Sequence, residues 1–248
     1  MRRLHRAKAR HEQNLFLLEG THVLESACHH DWALTTLCYT HQWQQHHPQL
    51  WQKAVSLAQR SEVVTETVVA AMATTVNPDG VVAIAPRNWN HQLTNANLQL
   101  GLAVERLQDP GNLGTIIRTA AAVGVDSLWL STDSVDPDHP KVLRASAGAW
   151  FQVKISVFPN LNSLLTQVQE QGVQVVATSP QATCNYWELD LKQPTVFVVG
   201  NEGAGLSANL LSQADQQVKI PVRPGVESLN VAVATALLLY EAQRQRVN

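Results

Sequence analysis

Six candidate strands, most of them apolar, recur along the C-terminal half of the chain: Leu100–Val104, Ser127–Leu130, Val153–Val157, Val173–Thr178, Thr195–Val199 and Gln217–Ile220. Between them lie stretches with helical periodicity, over Leu113–Val123, Pro140–Ala149 and Leu161–Gln171, a short one after Ser207, and a long final one from about Leu229. Strands this apolar bury both faces, so their alternation with helices predicts an α/β domain, a mostly parallel sheet with helices on either side.

The first 85 or so residues read as a smaller α/β unit. Leu15–Leu18 has strand character, Gly20 breaks it, and Thr21 is placed to cap a helix running to about Asp31 with Val23, Leu24 and Ala27 on one face. Leu34–Tyr39 follows as a strand, Pro48–Gln59 as a helix, and Val81–Ala85 as a strand after the turn Asn77-Pro78-Asp79-Gly80. Pro86–Asn97 loses periodicity and is rich in Asn and Gln, which marks a linker. The expected organisation is a first domain over residues 1–86, a linker over 87–97 and a second domain over 98–248.

Composition narrows the class. With 45% hydrophobic and 15% charged residues the chain is globular rather than disordered. No apolar run approaches the roughly 20 residues a bilayer span needs, and Leu15–Leu18 is too short for a signal-peptide core; a cytoplasmic protein is expected. Cys28, Cys38 and Cys184 have neither disulfide-framework nor zinc spacing, and the pairs His29-His30 and His46-His47 match no ligand pattern, so no metal is expected. The net charge of −2 argues against a generic polyanion binder, yet Arg2, Arg3, Arg6, Lys8 and Arg10 all precede the first acidic residue, Glu12. Such a cluster suits RNA phosphates; charge alone equally describes a solvated helix face.

Common nucleotide signatures are missing from the second domain. No Gly-x-Gly-x-x-Gly follows its first strand and no Walker lysine motif occurs. The glycines come late, after the fifth strand, in Gly200-Asn201-Glu202-Gly203-Ala204-Gly205-Leu206-Ser207. Glycines let a backbone turn sharply and approach a ligand closely, and a strand ending in such a loop is where α/β sheets bind ligands. A plain strand–turn–helix connection is the alternative. The second motif, Asp109-Pro110-Gly111-Asn112-Leu113-Gly114-Thr115-Ile116-Ile117-Arg118, makes a tight turn with Asn112 at the expected helix N-cap. Arg118, on an otherwise apolar helix, requires either an anion or a rim salt bridge. The third runs from Ile220-Pro221 through Glu227-Ser228-Leu229-Asn230-Val231, where capping alone would account for Ser228 and Asn230 taken singly.

Taken in order, Asn-x-Gly-x-x-x-Arg, Gly-Asn-Glu-Gly-x-Gly-Leu and Ile-Pro with Glu-Ser-Leu-Asn-Val resemble the signature of SpoU/TrmH RNA methyltransferases, over roughly residues 98–246. The resemblance implies a deep trefoil knot, S-adenosylmethionine as cofactor, and transfer of its methyl group to a ribose 2′-hydroxyl. Residues 1–86, with Phe16-Leu17-Leu18-Glu19-Gly20, Val23, Ala27 and Val81-Val82-Ala83, are similar to the RNA-substrate-binding domain of the family's rRNA enzymes, itself like small ribosomal proteins. Val222 and Ala232 depart from the family pattern, where Met and Ser are common, but neither is a presumed catalytic position. By resemblance the catalytic set is Arg118, Asn112, Glu202, Ser228 and Asn230, and the cofactor set is Thr178, Gly200, Ile220 and Leu229. A guanidinium is a poor base, so Arg118 is expected to bind phosphate and stabilise the developing alkoxide; accounts that make it the base remain open. Glu202 either positions ligands or bonds loop amides. The expected substrate is 23S-type ribosomal RNA, with tRNA and a non-catalytic RNA-binding module as alternatives. A homodimer is expected as well, since Val231, Val233, Ala234, Ala236, Leu237, Leu238, Leu239 and Tyr240 make the last helix apolar on nearly all sides.

Overall fold

The structure, a computed structural model, describes residues 1–87 and 97–247. The expected linker at 87–97 therefore falls almost wholly outside the described residues. The chain forms two compact units, one from Met1–Asn88 and Asp136–Phe151, the other from Trp89–Val135 and Gln152–Asn248.

In the first unit α1 (Ala7–Gln13) leads into β1 (Leu15–Glu19), followed by α2 (Thr21–His29), β2 (Thr36–Tyr39), α3 (His41–His46), α4 (Pro48–Leu57), β3 (Ser61–Val63), α5 (Glu66–Met72) and β4 (Val81–Pro86). The sheet order is β1-β4-β2-β3, with β4 antiparallel to both β1 and β2, and β3 parallel to β2. β4 takes the centre because Val81–Ala85 is apolar throughout and buries every residue. Helix α2 is capped differently from expectation. Its N-cap is Gly20, and the amide of Thr21 donates to the Asp79 carboxylate at 2.8 Å, leaving the Thr21 hydroxyl to accept from the Trp43 indole at 2.8 Å. The elements α3, β3 and α5 are not apparent in the sequence. The two helices are short and capped by Thr40 and Thr65, and all three residues of β3 are exposed, so no apolar periodicity marks them.

Residues 136–151 fold with this unit through buried charge. Arg10, whose side chain is fully buried, donates to Asp136 at 2.8 Å and to Asp138 at 3.0 Å; Arg87 pairs with both carboxylates. The remaining Arg10 donors reach the carbonyls of Leu4 and His5. Burial opposes ionisation of Asp136, but Asp138 and the two guanidiniums hold its carboxyl below the ordinary range, whereas burial beside Asp136 pushes Asp138 up. Trp150 packs on Phe16 and Trp32 with ring centroids 5.2 and 5.4 Å away. This corrects one sequence expectation: Arg10 is not part of a phosphate-facing cluster, because its charge is consumed internally, whereas Arg2, Arg3, Arg6 and Lys8 are exposed.

In the second unit β5 (Leu100–Val104) is followed by α6 (Pro110–Val123) and β6 (Ser127–Ser131). The chain then contributes α7 (Pro140–Ala145) to the first unit, shorter than the Pro140–Ala149 expected, before β7 (Ile155–Phe158), α8 (Leu161–Glu170), β8 (Gln174–Thr178), β9 (Cys184–Asn185), β10 (Thr195–Val199), α9 (Ala208–Gln213), β11 (Gln216–Lys219) and α10 (Val231–Val247). The seven strands are all parallel, in the order β7-β6-β5-β10-β8-β11-β9. The six expected strands are present with ends shifted by no more than a residue or two; β9, two residues at the edge, is too short to leave a pattern. Trp129, Leu164, Val175, Val196 and Val198 are core residues of this unit. Among the described residues no helix is long and apolar enough to cross a membrane.

The buried arginine generates a stability test. Arg10→Gln leaves two buried carboxylates to share the single guanidinium of Arg87 and should cost about 3–5 kcal/mol, read as a lowered urea midpoint of the full chain. Lys8→Gln, on the exposed face, should stay within about 0.5 kcal/mol of the parent.

Candidate functional site

Three adjacent parallel strands, β10, β8 and β11, end side by side, and their carboxyl ends carry Gly200, Thr178 and Ile220. The crevice outside such strand ends is where open α/β sheets hold ligands. Gly200 is required here for steric reasons. A Cβ on it would lie 2.3 Å from the Gly205 carbonyl carbon and 2.4 Å from the Leu206 nitrogen, both backbone atoms that cannot swing aside. The loop folds back over it, with Asn201 and Gly205 exchanging main-chain hydrogen bonds at 3.1 and 2.9 Å and Gly205 in the left-handed region at φ 65°.

Asn201, a residue of the glycine motif to which sequence reasoning assigned no role, holds this loop. Its Oδ1 accepts from the amides of Gly203 and Ala204 at 2.9 and 3.0 Å, and its Nδ2 donates to the Arg106 carbonyl at 2.8 Å. Because Asn201 serves the loop amides, Glu202 is left for another partner, and it accepts from Asn112 Nδ2 at 3.0 Å. Asn112 Oδ1 in turn accepts from Asn230 Nδ2 at 2.9 Å, and Asn230 Oδ1 caps α10 through the amides of Ala232 and Val233. Three expected site residues, separated by 90 and 118 positions in sequence, thus form one hydrogen-bonded chain.

Asn112 does not cap α6. The cap is Asp109, whose carboxylate accepts the Asn112 amide at 2.8 Å, and Pro110 occupies the first helical turn. Asp in the turn takes the capping role that Asn112 was assigned, and so the Asn112 side chain is free for Glu202 and Asn230. Arg118 lies on the exposed side of α6 and makes no ion pair among the described residues, so no rim salt bridge accounts for it. Gly111 and Gly114 share its face seven and four residues earlier; long helical side chains lean toward the N-terminus, so small residues there leave its path clear. Ser228 is exposed and has no hydrogen bond among the described residues, and Leu229 is half-buried.

Two charged residues beyond the expected set complete the site. Glu105, after β5, accepts the Ser207 amide at 2.7 Å and so ties the far end of the glycine loop to the neighbouring strand. Arg106 supplies the carbonyl that Asn201 grips. Nothing local marks them: their relevance follows from β5 lying next to β10, a fact of strand order.

The residues present suit a nucleoside cofactor. Ile220 and Leu229 are only partly covered, and Val222 and Val226 in the same loop are 41% and 49% exposed, so apolar surface waits at the strand ends beside main-chain amides and the Glu202 carboxylate. Among the described residues no group of three or more His, Cys, Asp or Glu stands close enough to hold a metal ion.

Comparison with known proteins bears on this geometry. The SpoU rRNA methylase family matches residues 99–240, and an MRM3-like substrate binding domain matches residues 1–83. A tRNA/rRNA methyltransferase of Synechocystis, described as uncharacterised, is 47% identical over 99% of the chain and 90% of its own length. A 23S rRNA guanosine 2′-O-methyltransferase of Bacillus subtilis is 32% identical, covering 96% of the chain and 92% of its own. The structure of an AdoMet-bound rRNA methyltransferase from Sinorhizobium meliloti superposes with a TM-score of 0.86 at 33% identity, over 98% of the chain and 92% of its own.

The steric argument at Gly200 has a measurable consequence. Gly200→Ala should open the loop, lower stability by about 1–3 kcal/mol as overpacking does, and weaken S-adenosylhomocysteine binding in calorimetry. A variant with parental stability and affinity would show that the loop tolerates a methyl group.

Proposed function

The chain belongs to the SpoU rRNA methylase family, and from that premise we propose that it transfers a methyl group at the carboxyl edge formed by β5, β10, β8 and β11. It is an S-adenosylmethionine-dependent enzyme that methylates a ribose 2′-hydroxyl in ribosomal RNA. The observation that carries the assignment of the site is Arg118: an exposed guanidinium without a carboxylate, on the helix whose first turn holds Asn112.

S-adenosylmethionine, when bound, supplies an activated methyl group. The main chain around Gly200, Ile220 and Leu229, with Thr178 at the end of β8, holds the adenosine part, since amides and carbonyls can read a purine edge. Arg118 binds the RNA phosphate beside the reacting ribose and stabilises charge as the 2′-oxygen loses its proton. A guanidinium stays protonated, so the proton passes to a phosphate oxygen rather than to Arg118. Glu202, Asn112 and Asn230 set the relative positions of the glycine loop, α6 and α10. Ser228 is free to meet ligand. Transfer requires the 2′-oxygen in line with the methyl group, so this positioning supplies much of the rate.

Residues 1–86 bind the RNA, with Arg2, Arg3, Arg6 and Lys8 as phosphate contacts, and residues 98–248 carry out catalysis through a trefoil knot in which α10 is the last element. The reaction takes place in the cytoplasm, a reading supported by the bacterial rRNA methyltransferases that the chain resembles. The protein is a homodimer. Val233, Leu237 and Tyr240 of α10 are 52%, 37% and 51% exposed and, with Thr115 and Thr119 of α6, line a groove of about 490 Å³. A second copy of this face would cover it.

Two experiments test the reading. Arg118→Ala should retain S-adenosylhomocysteine affinity and lose about 10²–10³ in single-turnover methylation of rRNA, and Arg118→Lys should stay strongly impaired because the planar fork is gone. Full activity in the Ala variant would end the catalytic assignment. Sedimentation of the parent at micromolar concentration should give a dimer that Leu237→Glu converts to monomer; a monomeric parent removes the dimer.

A further inference from the structure

Arg106, the second residue after β5, stands in the left-handed region at φ 53°. Side chains other than glycine, asparagine and aspartate rarely stay there, because Cβ crowds the backbone. Here the surroundings leave the backbone no choice. Its amide donates to Ser131 Oγ at 2.8 Å, and its carbonyl accepts from Asn201 Nδ2 at 2.8 Å and Gln108 Nε2 at 3.0 Å. A glycine would make all three bonds without strain, so the fold itself has no need of an arginine. Unfavourable backbone held this firmly gathers where a side chain must be delivered to a defined place.

The guanidinium is under-used. Its one carboxylate neighbour among the described residues is Glu105, at 3.5 Å, and that carboxylate already accepts the Ser207 amide at 2.7 Å. The Arg106 Nε–H is shielded from water and donates to nothing, while 37% of the side chain is exposed. A fork with spare donors, at the mouth of the crevice, is suited to an oxyanion.

We propose that Arg106 holds a phosphodiester oxygen of the RNA substrate, as a positioning arginine additional to Arg118. The inference rests on the methyltransferase reading of the site. Two oxyanions are available there, an RNA phosphodiester and the methionine carboxylate of the cofactor, and topology separates them. Thr178, Gly200 and Ile220 end β8, β10 and β11, whereas β5 lies on the other side of β10. Arg106 therefore belongs with α6, which follows β5 and carries Asn112 and Arg118, on the flank away from the adenosine contacts.

The test compares Arg106→Gly and Arg106→Lys in the full-length chain, using unmodified ribosomal RNA transcribed in vitro and S-adenosylhomocysteine. The Gly variant should melt no lower than the parent and bind S-adenosylhomocysteine equally well. Its KM for RNA should rise roughly tenfold or more, as loss of a charged hydrogen bond does, with a smaller change in kcat. The salt dependence of its RNA binding should flatten by about one phosphate contact, and the Lys variant should recover that slope. An unchanged RNA KM and slope in the Gly variant would overturn the proposal. So would a loss confined to S-adenosylhomocysteine affinity, which assigns the oxyanion to the cofactor. A lowered melting temperature with normal KM would make Arg106 a structural partner of Glu105, again against the proposal. A parent that neither binds S-adenosylhomocysteine nor methylates rRNA would instead sink the functional reading beneath it.

Discussion

No side chain fits between Gly200 and the turn that returns over it, and the arrangement of the site depends on that contact. With Gly205 and Leu206 backbone lying where a Cβ would be, the loop after β10 is compact enough for Asn201 to bond its amides and reach the Arg106 carbonyl on β5's extension. Once Asn201 takes the amides, Glu202 is left pointing to Asn112. From there the chain of bonds continues to Asn230 and the first turn of α10. A close approach of two backbone segments thus determines how residues from three distant parts of the sequence meet. It also explains why glycines appear late in this domain rather than after its first strand: the ligand edge is built by β10, β8 and β11.

Much of this was legible in the residue pattern, and what was not has identifiable causes. Buried parallel strands announce themselves as short apolar runs, so β5 and β10 fall on the expected residues. Short or exposed elements do not: β3 exposes all three residues and β9 has only two. Taken singly, Asn112, Glu202 and Asn230 each read equally as a cap or a loop residue; they were legible as site residues through the resemblance of their three motifs to a known family. Their partners were not, because bonding across 90 positions is decided by strand order. Asn112 shows the limit most directly. Its spacing fits an N-cap as well as Asp109 does, and only the geometry shows which carboxylate or amide takes the helix amides. Glu105 and Arg106 are ordinary charged residues until β5 is known to pair with β10.

Charge was harder to read than hydrophobicity. A run of five basic residues before the first acidic one looks like a single electrostatic feature, yet helix α1 turns Arg10 inward while its neighbours face solvent. A buried guanidinium without carboxylates would be prohibitive, and the carboxylates that compensate it, Asp136 and Asp138, come 126 and 128 residues later. The same segment brings Arg144 to Glu19, whose carboxylate also accepts from the amides and hydroxyls of Thr74 and Thr75. Burial alone would favour the neutral acid there, but those hydrogen bonds and Arg144 keep the Glu19 carboxyl below the ordinary range. Residues 136–151 are therefore joined to the first unit by satisfied buried charge as much as by the aromatic packing of Trp150.

The polarity of the Glu202–Asn112–Asn230 chain admits one orientation. The amides at the start of α10 can only donate, so Asn230 must offer Oδ1 to them and Nδ2 to Asn112. Asn112 must then accept with Oδ1 and donate with Nδ2, and a carboxylate, which only accepts when ionised, is the one charged group that can terminate the series. A lysine or arginine at position 202 would meet a donor; an aspartate at position 112 would face Glu202 carboxylate to carboxylate, and the pair would have to retain a proton. Neutral relays also keep the site from cancelling its own cations. Glu202 is occupied by an asparagine and Glu105 by a backbone amide. Among the described residues Glu202 makes no ion pair with Arg118, and Glu105 meets Arg106 only through one long contact at 3.5 Å, so both guanidiniums keep donors for an incoming anion. A strand-end site that engages Glu202 and Glu105 with amide groups and leaves Arg118 and Arg106 with spare donors is arranged to receive negative charge.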